Sequence, residues 1–396
     1  MTDESQELTQ ARQCLVWLPH SYTTSGPAES CVRIIEQFGG VGLETTLFVV
    51  RARHAIPPEI RVIEGVGPIL RNAPYRLIAN AAKRRLARLF RRAIDAAPAG
   101  TIAYFWPNTP SELLRYAKSK GLTCVREMIN SPVANAKRIL DRSYKQAGLK
   151  PTHGITDEMV KIENAQLDLA DYVFSSNAEV DAALNVLGVN EDRLLPASFG
   201  WTRDRFLSGS KAGEASTSLA SKDRFRAVFV GTMNVRKGVV SLLKAWAKAD
   251  IEGELVLAGS VEPCLEPLIA EYAERQDVAH LGHVSDVASL YRSCDCFVFP
   301  THEEGGPQVT YEAVACGIPV ITTPMGAARL VRDGETGLLV EAGNVDELAH
   351  ALKRIAFEEG LGQKLADQAE KEVGMFEYGP VGRSRAAQLL GVDAGS

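Results

Sequence analysis

The chain has 396 residues, a length that accommodates two domains of ordinary size. Hydrophobic residues make up 45% and charged residues 23%, and 44 basic side chains stand against 49 acidic ones, so the net charge is −5. This composition is typical of a globular protein and provides no overall positive charge for binding nucleic acid. No apolar run reaches the ~20 residues of a membrane-spanning helix, and we expect none.

The cysteines and the first ten residues indicate the compartment. The seven cysteines are odd in number and show neither disulfide-scaffold nor zinc-site spacing. Five of them lie in apolar runs, as is typical of reduced core thiols: Cys14, Cys31, Cys124, Cys296 and Cys316. Residues 1–10 are polar and acidic, unlike a secretory signal. We therefore expect a cytoplasmic protein.

In the first half of the chain, short apolar runs alternate with helical stretches. We predict strands at Cys14–Leu18, Glu44–Val50, Thr101–Trp106, Leu122–Arg126 and Asp171–Ser175, and helices at Glu29–Phe38, Arg71–Ala97, Glu158–Ala170 and Ala178–Leu187. Gly26 lies between the first strand and its helix, where α/β folds place a phosphate, although any such turn can contain glycine. Glu127 and Asn130 follow a strand at the edge that carries ligands.

A serine- and glycine-rich stretch separates the two halves. Residues 208–222, SGSKAGEASTSLASK, have neither helical nor strand periodicity, so we predict a linker there. Beyond it, we predict strands at Arg226–Val230, Leu255–Ala258, Val278–Leu281, Cys296–Phe299 and Val320–Thr322, with helices between them. This alternation predicts parallel, doubly wound sheets, with 1–207 and 223–374 as two domains.

The stretch 294–317, CDCFVFPTHEEGGPQVTYEAVACG, has the order strand, glycine loop, helix. Pro307 suits the start of a helix whose free N–H groups favour an anion. Glu304 and Glu312 bracket this site, and carboxylates accept hydrogen bonds from sugar hydroxyls. A ligand with both phosphate and a polyol, such as a nucleotide sugar, fits this pattern. The alternative is that both glutamates are solvated.

A second strand–loop–helix stretch, Gly231–Gly238, carries Arg236 and Lys237 at the start of its helix. Two cations there favour a diphosphate, although a solvated basic pair is the alternative. The stretch contains neither G-x-G-x-x-G nor G-K-[ST]. The chain also has no Asp-Xaa-Asp triplet to hold a sugar diphosphate through a metal ion.

These motifs together resemble a known family. Glu304-Gly305-Gly306-Pro307 through Glu312-Ala313, followed by Gly317-Ile318-Pro319-Val320, resembles the E-x7-E signature of retaining glycosyltransferases of family 4. The resemblance is strong over 226–352. It implies the GT-B fold, in which two Rossmann-like domains face each other across a cleft. It also implies a terminal helix, within 375–396, that crosses back to the first domain.

The resemblance also implies roles for individual residues. Glu304 would hold the transferred sugar, Glu312 the ribose and Lys237 the diphosphate. Arg236 would replace the arginine that the family has at the position of Thr232. The remaining implied contacts are Gly26 to the phosphate, Glu127 or Asn130 in place of a family histidine, His283 and Val284 at the base, and Gly305, Gly306, Pro307, Gln308 and Val309 beside the sugar.

The implied activity is sugar transfer from a nucleotide-diphosphate sugar to a hydroxyl acceptor with retention of configuration. Polysaccharide or glycolipid synthesis is the expected setting, and no cofactor or metal is expected. Two alternatives remain open: another GT-B enzyme, such as an epimerase or a sugar-phosphate synthase, and a non-catalytic protein that binds nucleotide sugars.

The predicted helix Arg71–Ala97 is unusually basic. Arg84, Arg85, Arg88, Arg91 and Arg92 form one continuous face on a helical wheel, and Leu86, Leu89, Phe90 and Ala93 form another. Such a helix can lie on an anionic membrane and bring the cleft to a lipid-linked acceptor. The alternative is an ordinary helix that covers the first sheet and exposes its arginines to solvent.

Overall fold

The computed structural model describes residues 11–67, 70, 73–207 and 224–392. Its first sheet has seven parallel strands in the order β3-β2-β1-β4-β5-β6-β7. The strands are β1 Arg12–Tyr22, β2 Leu43–Ala52, β3 Arg61–Glu64, β4 Ile102–Phe105, β5 Thr123–Glu127, β6 Tyr172–Ser175 and β7 Leu194–Pro196. The helices are α1 Gly26–Ile35, α2 Tyr75–Asp95, α3 Ser111–Ser119, α4 Val133–Ala147, α5 Asp157–Leu169, α6 Ala178–Val186 and α7 Arg203–Leu207.

The second sheet has six parallel strands in the order β10-β9-β8-β11-β12-β13. Its strands are β8 Phe225–Val230, β9 Gly253–Ala258, β10 Val278–Gly282, β11 Cys296–Phe299, β12 Val320–Thr322 and β13 Leu338–Leu339. The helices are α8 Val239–Ala249, α9 Glu266–Ala273, α10 Val287–Arg292, α11 Gln308–Ala315, α12 Val345–Phe357, α13 Leu361–Val373 and α14 Tyr378–Gly391. The predicted pair of parallel α/β sheets is therefore present.

The last helix, α14, returns to the first sheet and packs against α1. The Tyr378 hydroxyl lies 3.0 Å from the Ser30 hydroxyl, and Arg385 is fully buried in the first domain. α14 begins two residues before Pro380, which its first turn tolerates because the first N–H groups of a helix lack helical partners. The predicted linker 208–222 lies outside the described residues, and the domain boundaries stay predictions.

Helix α2 covers one face of the first sheet. Phe90 packs against Trp17 and Phe48 with ring centroids 5.2 and 4.8 Å apart. The side of α2 that faces the sheet is buried along its length, at Ile78, Ala82, Leu86, Phe90 and Ile94. This apolar side is therefore not available to enter a bilayer. Within the described ranges, no helix is long and apolar enough to span a membrane.

Candidate active site

The loop between β8 and α8 closes on a glycine that fixes its position. Gly238 has φ +73°, and a Cβ there would lie 1.9 Å from the carbonyl oxygen of Pro300. Any other residue would be strained and would clash with the backbone after β11. This close approach places Lys237, which precedes Gly238, beside the loop that carries the predicted glutamates.

The ammonium group of Lys237 contacts the carboxylate of Glu304. Glu304 is only 6% exposed, so it is not the solvated residue of the alternative interpretation. The Lys237 nitrogen also lies 5.0 Å from the centre of the Phe299 ring. Burial, followed by the charge of Arg236, lowers the pKa of Lys237 to about 7, whereas Glu303 raises it. The charge of Lys237 therefore depends on the groups around it.

Arg236 links the facing edges of the two domains. Its Nε lies 2.6 Å from Oε2 of Glu303, and its Nη2 lies 3.6 Å from Oε2 of Glu304. The same Nη2 donates to Oδ1 of Asn130, at 3.0 Å, from the loop after β5. The structure thus brings together Arg236, Lys237, Glu304 and Asn130, all of which the sequence had marked.

Glu303 belongs to this cluster, and the sequence analysis missed it. Its buried carboxylate pairs with Arg236 and accepts the backbone N–H of Ser131, at 3.0 Å, from the other domain. The sequence analysis assigned a role to Glu304 and none to the adjacent Glu303. The Arg236-Lys237 pair, which needs two countercharges, was the signal that could have identified Glu303.

The glycine loop before α11 packs tightly against the first domain. A Cβ at Gly305 would lie 1.9 Å from the carbonyl oxygen of Ile129, and one at Gly306 would lie 2.1 Å from the Phe199 ring. The Gln308 side chain donates to the carbonyl oxygen of Gly200 at 2.6 Å. Two further hydrogen bonds hold the loop. The side-chain amide of Asn177 donates to the carbonyl oxygen of Gly305, and that of Gln308 donates to the hydroxyl of Tyr378.

Glu312 lies in the second turn of α11, next to residues of the first half of the chain. Burial raises the pKa of Glu312 to about 7, the charge of Arg205 lowers it, and the charge of Glu29 raises it. Glu29 lies in the first turn of α1, where Gly26 begins the helix with φ +66°. The charges of Glu29 and Arg205 therefore act on the predicted ribose carboxylate, and α7, which carries Arg205, packs against α11.

Residues 224–357 match the sequence model of the family Glycosyl transferases group 1. The match contains β8 through α12, and with them Arg236, Lys237, Glu304 and Glu312. Over these residues the chain is similar to group 1 glycosyltransferases. This finding confirms the predicted resemblance for the part of the chain in which the resemblance is strong.

Curated relatives match about half of the chain. The capsular polysaccharide biosynthesis glycosyltransferase CapM of Staphylococcus aureus is 31% identical over 209 residues, 51% of this chain and 53% of CapM. A D-inositol 3-phosphate glycosyltransferase of Paenarthrobacter aurescens is 29% identical over 217 residues, 51% of this chain and 53% of that protein. The chain thus spans about half the length of the curated relatives it matches.

A third relative comes from Campylobacter jejuni. This relative is the N-acetylgalactosamine-N,N'-diacetylbacillosaminyl-diphospho-undecaprenol 4-alpha-N-acetylgalactosaminyltransferase. It is 29% identical over 187 residues, which cover 46% of this chain and 50% of that protein.

Solved structures match the whole described fold. Sucrose-phosphate synthase from Thermosynechococcus elongatus has a TM-score of 0.71 at 20% identity, covering 96% of this chain and 98% of that one. HepE of Anabaena, in complex with UDP and glucose, has a TM-score of 0.68 at 17% identity, covering 96% and 100%. These likenesses show the fold alone, and they confirm the predicted GT-B architecture of the two domains.

The remaining predicted contacts are exposed or partly buried, except Pro307, which is buried. Thr232 is exposed, and its hydroxyl lies 3.3 Å from that of Ser260. His283 is exposed, Val284 and Val309 are partly buried, and Pro307 caps α11. Their roles stay predictions. Among the described residues, no group of three or more His, Cys, Asp or Glu side chains is arranged to hold a metal ion.

The expectation that Glu127 lines the sugar site is wrong. Glu127 is 1% exposed, and its carboxylate lies 2.6 Å from Nη1 of Arg385 in α14. The Tyr104 hydroxyl also donates to this carboxylate. Glu127 is the last residue of β5, and its side chain points into the core of the first domain, whereas Asn130, three residues later, reaches the cleft.

Proposed function

We propose that the protein is a retaining glycosyltransferase that moves a sugar from a nucleotide-diphosphate sugar to a hydroxyl acceptor in polysaccharide or glycolipid synthesis. The observation that carries the proposal is the contact between Lys237 and Glu304 at adjacent strand ends. One residue suits a diphosphate and the other a sugar, and a donor contains both groups side by side. HepE, a structural neighbour, is known in complex with UDP-glucose, which supports this donor class.

In this proposal the donor diphosphate replaces Glu304 as the partner of Lys237 and binds Arg236. The N–H groups at the start of α11 add partial positive charge. Glu304 then turns to the hydroxyls of the transferred sugar, and Glu312 holds the ribose. The leaving diphosphate takes the proton of the acceptor hydroxyl, so the chain needs neither a protein nucleophile nor a metal ion.

Lys237→Ala is expected to weaken binding of UDP far more than binding of uridine. The lost charge-assisted hydrogen bond is worth roughly 1.5–3 kcal/mol, so the dissociation constant for UDP should rise about tenfold to hundredfold. Titration calorimetry with both ligands measures this difference. Lys244→Ala is the matched control, since Lys244 is an exposed lysine within α8. This variant should leave the affinities for UDP and uridine unchanged. Equal losses for UDP and uridine would contradict the assignment.

We further propose that the acceptor is lipid-linked and that the enzyme works at the cytoplasmic face of a membrane. The name of the Campylobacter jejuni relative includes diphospho-undecaprenol, which supports this class of acceptor. Because the apolar side of α2 is buried, the contact would be electrostatic, made by its exposed arginines. Each such cation contributes about 1 kcal/mol near an anionic surface.

Flotation with anionic vesicles tests the membrane contact. We expect the protein to float with vesicles that contain phosphatidylserine at low salt, and to dissociate as the salt concentration rises. Changing Arg84, Arg88 and Arg92 to Glu should abolish flotation, since all three are exposed on α2. A control variant reverses three exposed charges in the second domain, at Lys353, Lys364 and Lys371. If both variants lose flotation equally, general charge and not α2 is responsible.

A further inference from the structure

A cavity of about 960 Å³ lies between the two domains, next to the active-site loop but apart from Lys237. One wall is formed by α4 and α6 of the first domain. The other is formed by residues that follow β11, β12 and β13. His302 lines the cavity, directly precedes Glu303, and donates its backbone N–H to the carbonyl oxygen of Arg236 at 2.8 Å, so the cavity borders the loop of the candidate active site.

The cavity has the size and the lining of a ligand site. Small-molecule pockets are roughly 300–1,000 Å³ and are mainly apolar, with a few polar groups. Val186, at the end of α6, is 87% exposed although its side chain is apolar. Further apolar lining comes from both domains, including Ala134, Ile139, Leu187, Met325, Leu339 and Val340. An apolar chain in the cavity would cover these side chains.

Two polar side chains of the lining, those of His302 and Arg142, have no hydrogen-bond or ion-pair partner among the described residues. His302 is 9% exposed, lines the cavity, and makes no hydrogen bond through its ring to any described residue. Burial and the charge of Arg142 lower the pKa of His302 to about 4, so the ring is neutral at pH 7 and can both donate and accept. Arg142 forms no ion pair with a described residue, and Arg138, one turn earlier, donates only to Asn135.

The charges are divided between the walls. Arg138 and Arg142 project from α4, whereas Glu179 comes from α6 and Glu341 from the segment after β13. Two guanidinium groups one helical turn apart can hold one phosphate through several N–H donors. The negative charges of Glu179 and Glu341 lie on the other walls and repel an anion, so the anion would bind along α4.

We propose that this cavity binds the phosphate-bearing, apolar-chain portion of the acceptor, an inference that rests on the proposed transfer to a lipid-linked acceptor. The phosphate binds Arg138 and Arg142, the chain covers Val186 and the apolar wall, and His302 hydrogen-bonds the polar head. Because His302 directly precedes Glu303 and Glu304, a head group bound there lies next to the sugar site.

Titration calorimetry with dodecyl phosphate, below its micelle concentration, tests the inference. Binding should be at least tenfold tighter than that of inorganic phosphate, which has no chain, and than that of dodecyl maltoside, which has no anionic group. Arg142→Gln should weaken binding of dodecyl phosphate about tenfold or more. Ala182→Trp, at an exposed position that lines the cavity, should abolish it by filling the space.

The matched control is Lys145→Gln, which removes an exposed cation of α4 outside the cavity and should leave binding unchanged. UDP affinity should be the same in all variants, and it also confirms that each is folded. If dodecyl phosphate does not bind, or binds Ala182→Trp as tightly as the parent, the inference is wrong. Loss of equal size in Lys145→Gln would also overturn it. A protein that binds dodecyl phosphate as described but does not bind UDP would instead contradict the proposed function.

Discussion

Glu304→Gln is expected to slow sugar transfer about 10²–10³-fold while UDP binds as tightly as before or more tightly. The substitution keeps the shape of the side chain but removes the negative charge that pairs with the ammonium group of Lys237. The diphosphate then has no internal carboxylate to displace. Transfer slows because an amide cannot stabilise the developing positive charge on the sugar as a carboxylate does. Losing one such electrostatic interaction lowers kcat by a factor of about 10²–10³. Steady-state transfer assays and UDP titrations measure the two effects separately.

Two other glutamates separate this explanation from general damage to the loop. Glu303→Gln changes the neighbouring carboxylate, which pairs with Arg236 but is not assigned to the sugar. The transfer rate of this variant should therefore fall less than that of Glu304→Gln. Glu312→Gln should weaken UDP binding itself, since Glu312 is assigned to the ribose. If Glu304→Gln transfers sugar at the parental rate, Glu304 does not contact the sugar in the reaction.

The individual halves of this site could be predicted from local sequence. Strand, glycine loop and helix recur around Lys237 and around Glu304, and each pattern is contained in fewer than 25 residues. Their direct contact could not be derived from those patterns, because it requires β8 and β11 to be neighbours in the sheet. The contact between Glu303 and Ser131 joins residues 172 positions apart and leaves no local signal.

The fold shows the same limit. Long buried strands such as β1 and β2 were predicted within a few residues, since a continuous apolar run indicates burial on both faces. β3, with the sequence RVIE, and the two-residue β13 were missed because neither is long and apolar. α4 was missed although its buried positions, Ala136, Leu140 and Tyr144, have helical spacing.

The buried pair of Glu127 and Arg385 leads to the second large prediction. Arg385 is fully buried, donates to Glu127 and to the carbonyl oxygen of Ser198, and lies over the rings of Phe174 and Phe199. Removing one member of a buried pair leaves the other charge without compensation, at a cost of about 3–5 kcal/mol. Glu127→Ala is therefore expected to lower the free energy of unfolding by about this amount, as measured by urea denaturation.

A matched variant shows whether the cost comes from the unpaired charge. Glu127→Leu combined with Arg385→Met replaces the pair by apolar side chains, and such replacements are often close to neutral. We expect the double variant to be more stable than Glu127→Ala, although the Tyr104 hydroxyl and the Ser198 carbonyl oxygen lose a partner. The folded fraction of both variants should bind UDP-glucose with parental affinity, because Glu127 points into the core. If Glu127→Ala instead keeps its stability and binds UDP-glucose less tightly while UDP affinity is unchanged, Glu127 faces the sugar after all.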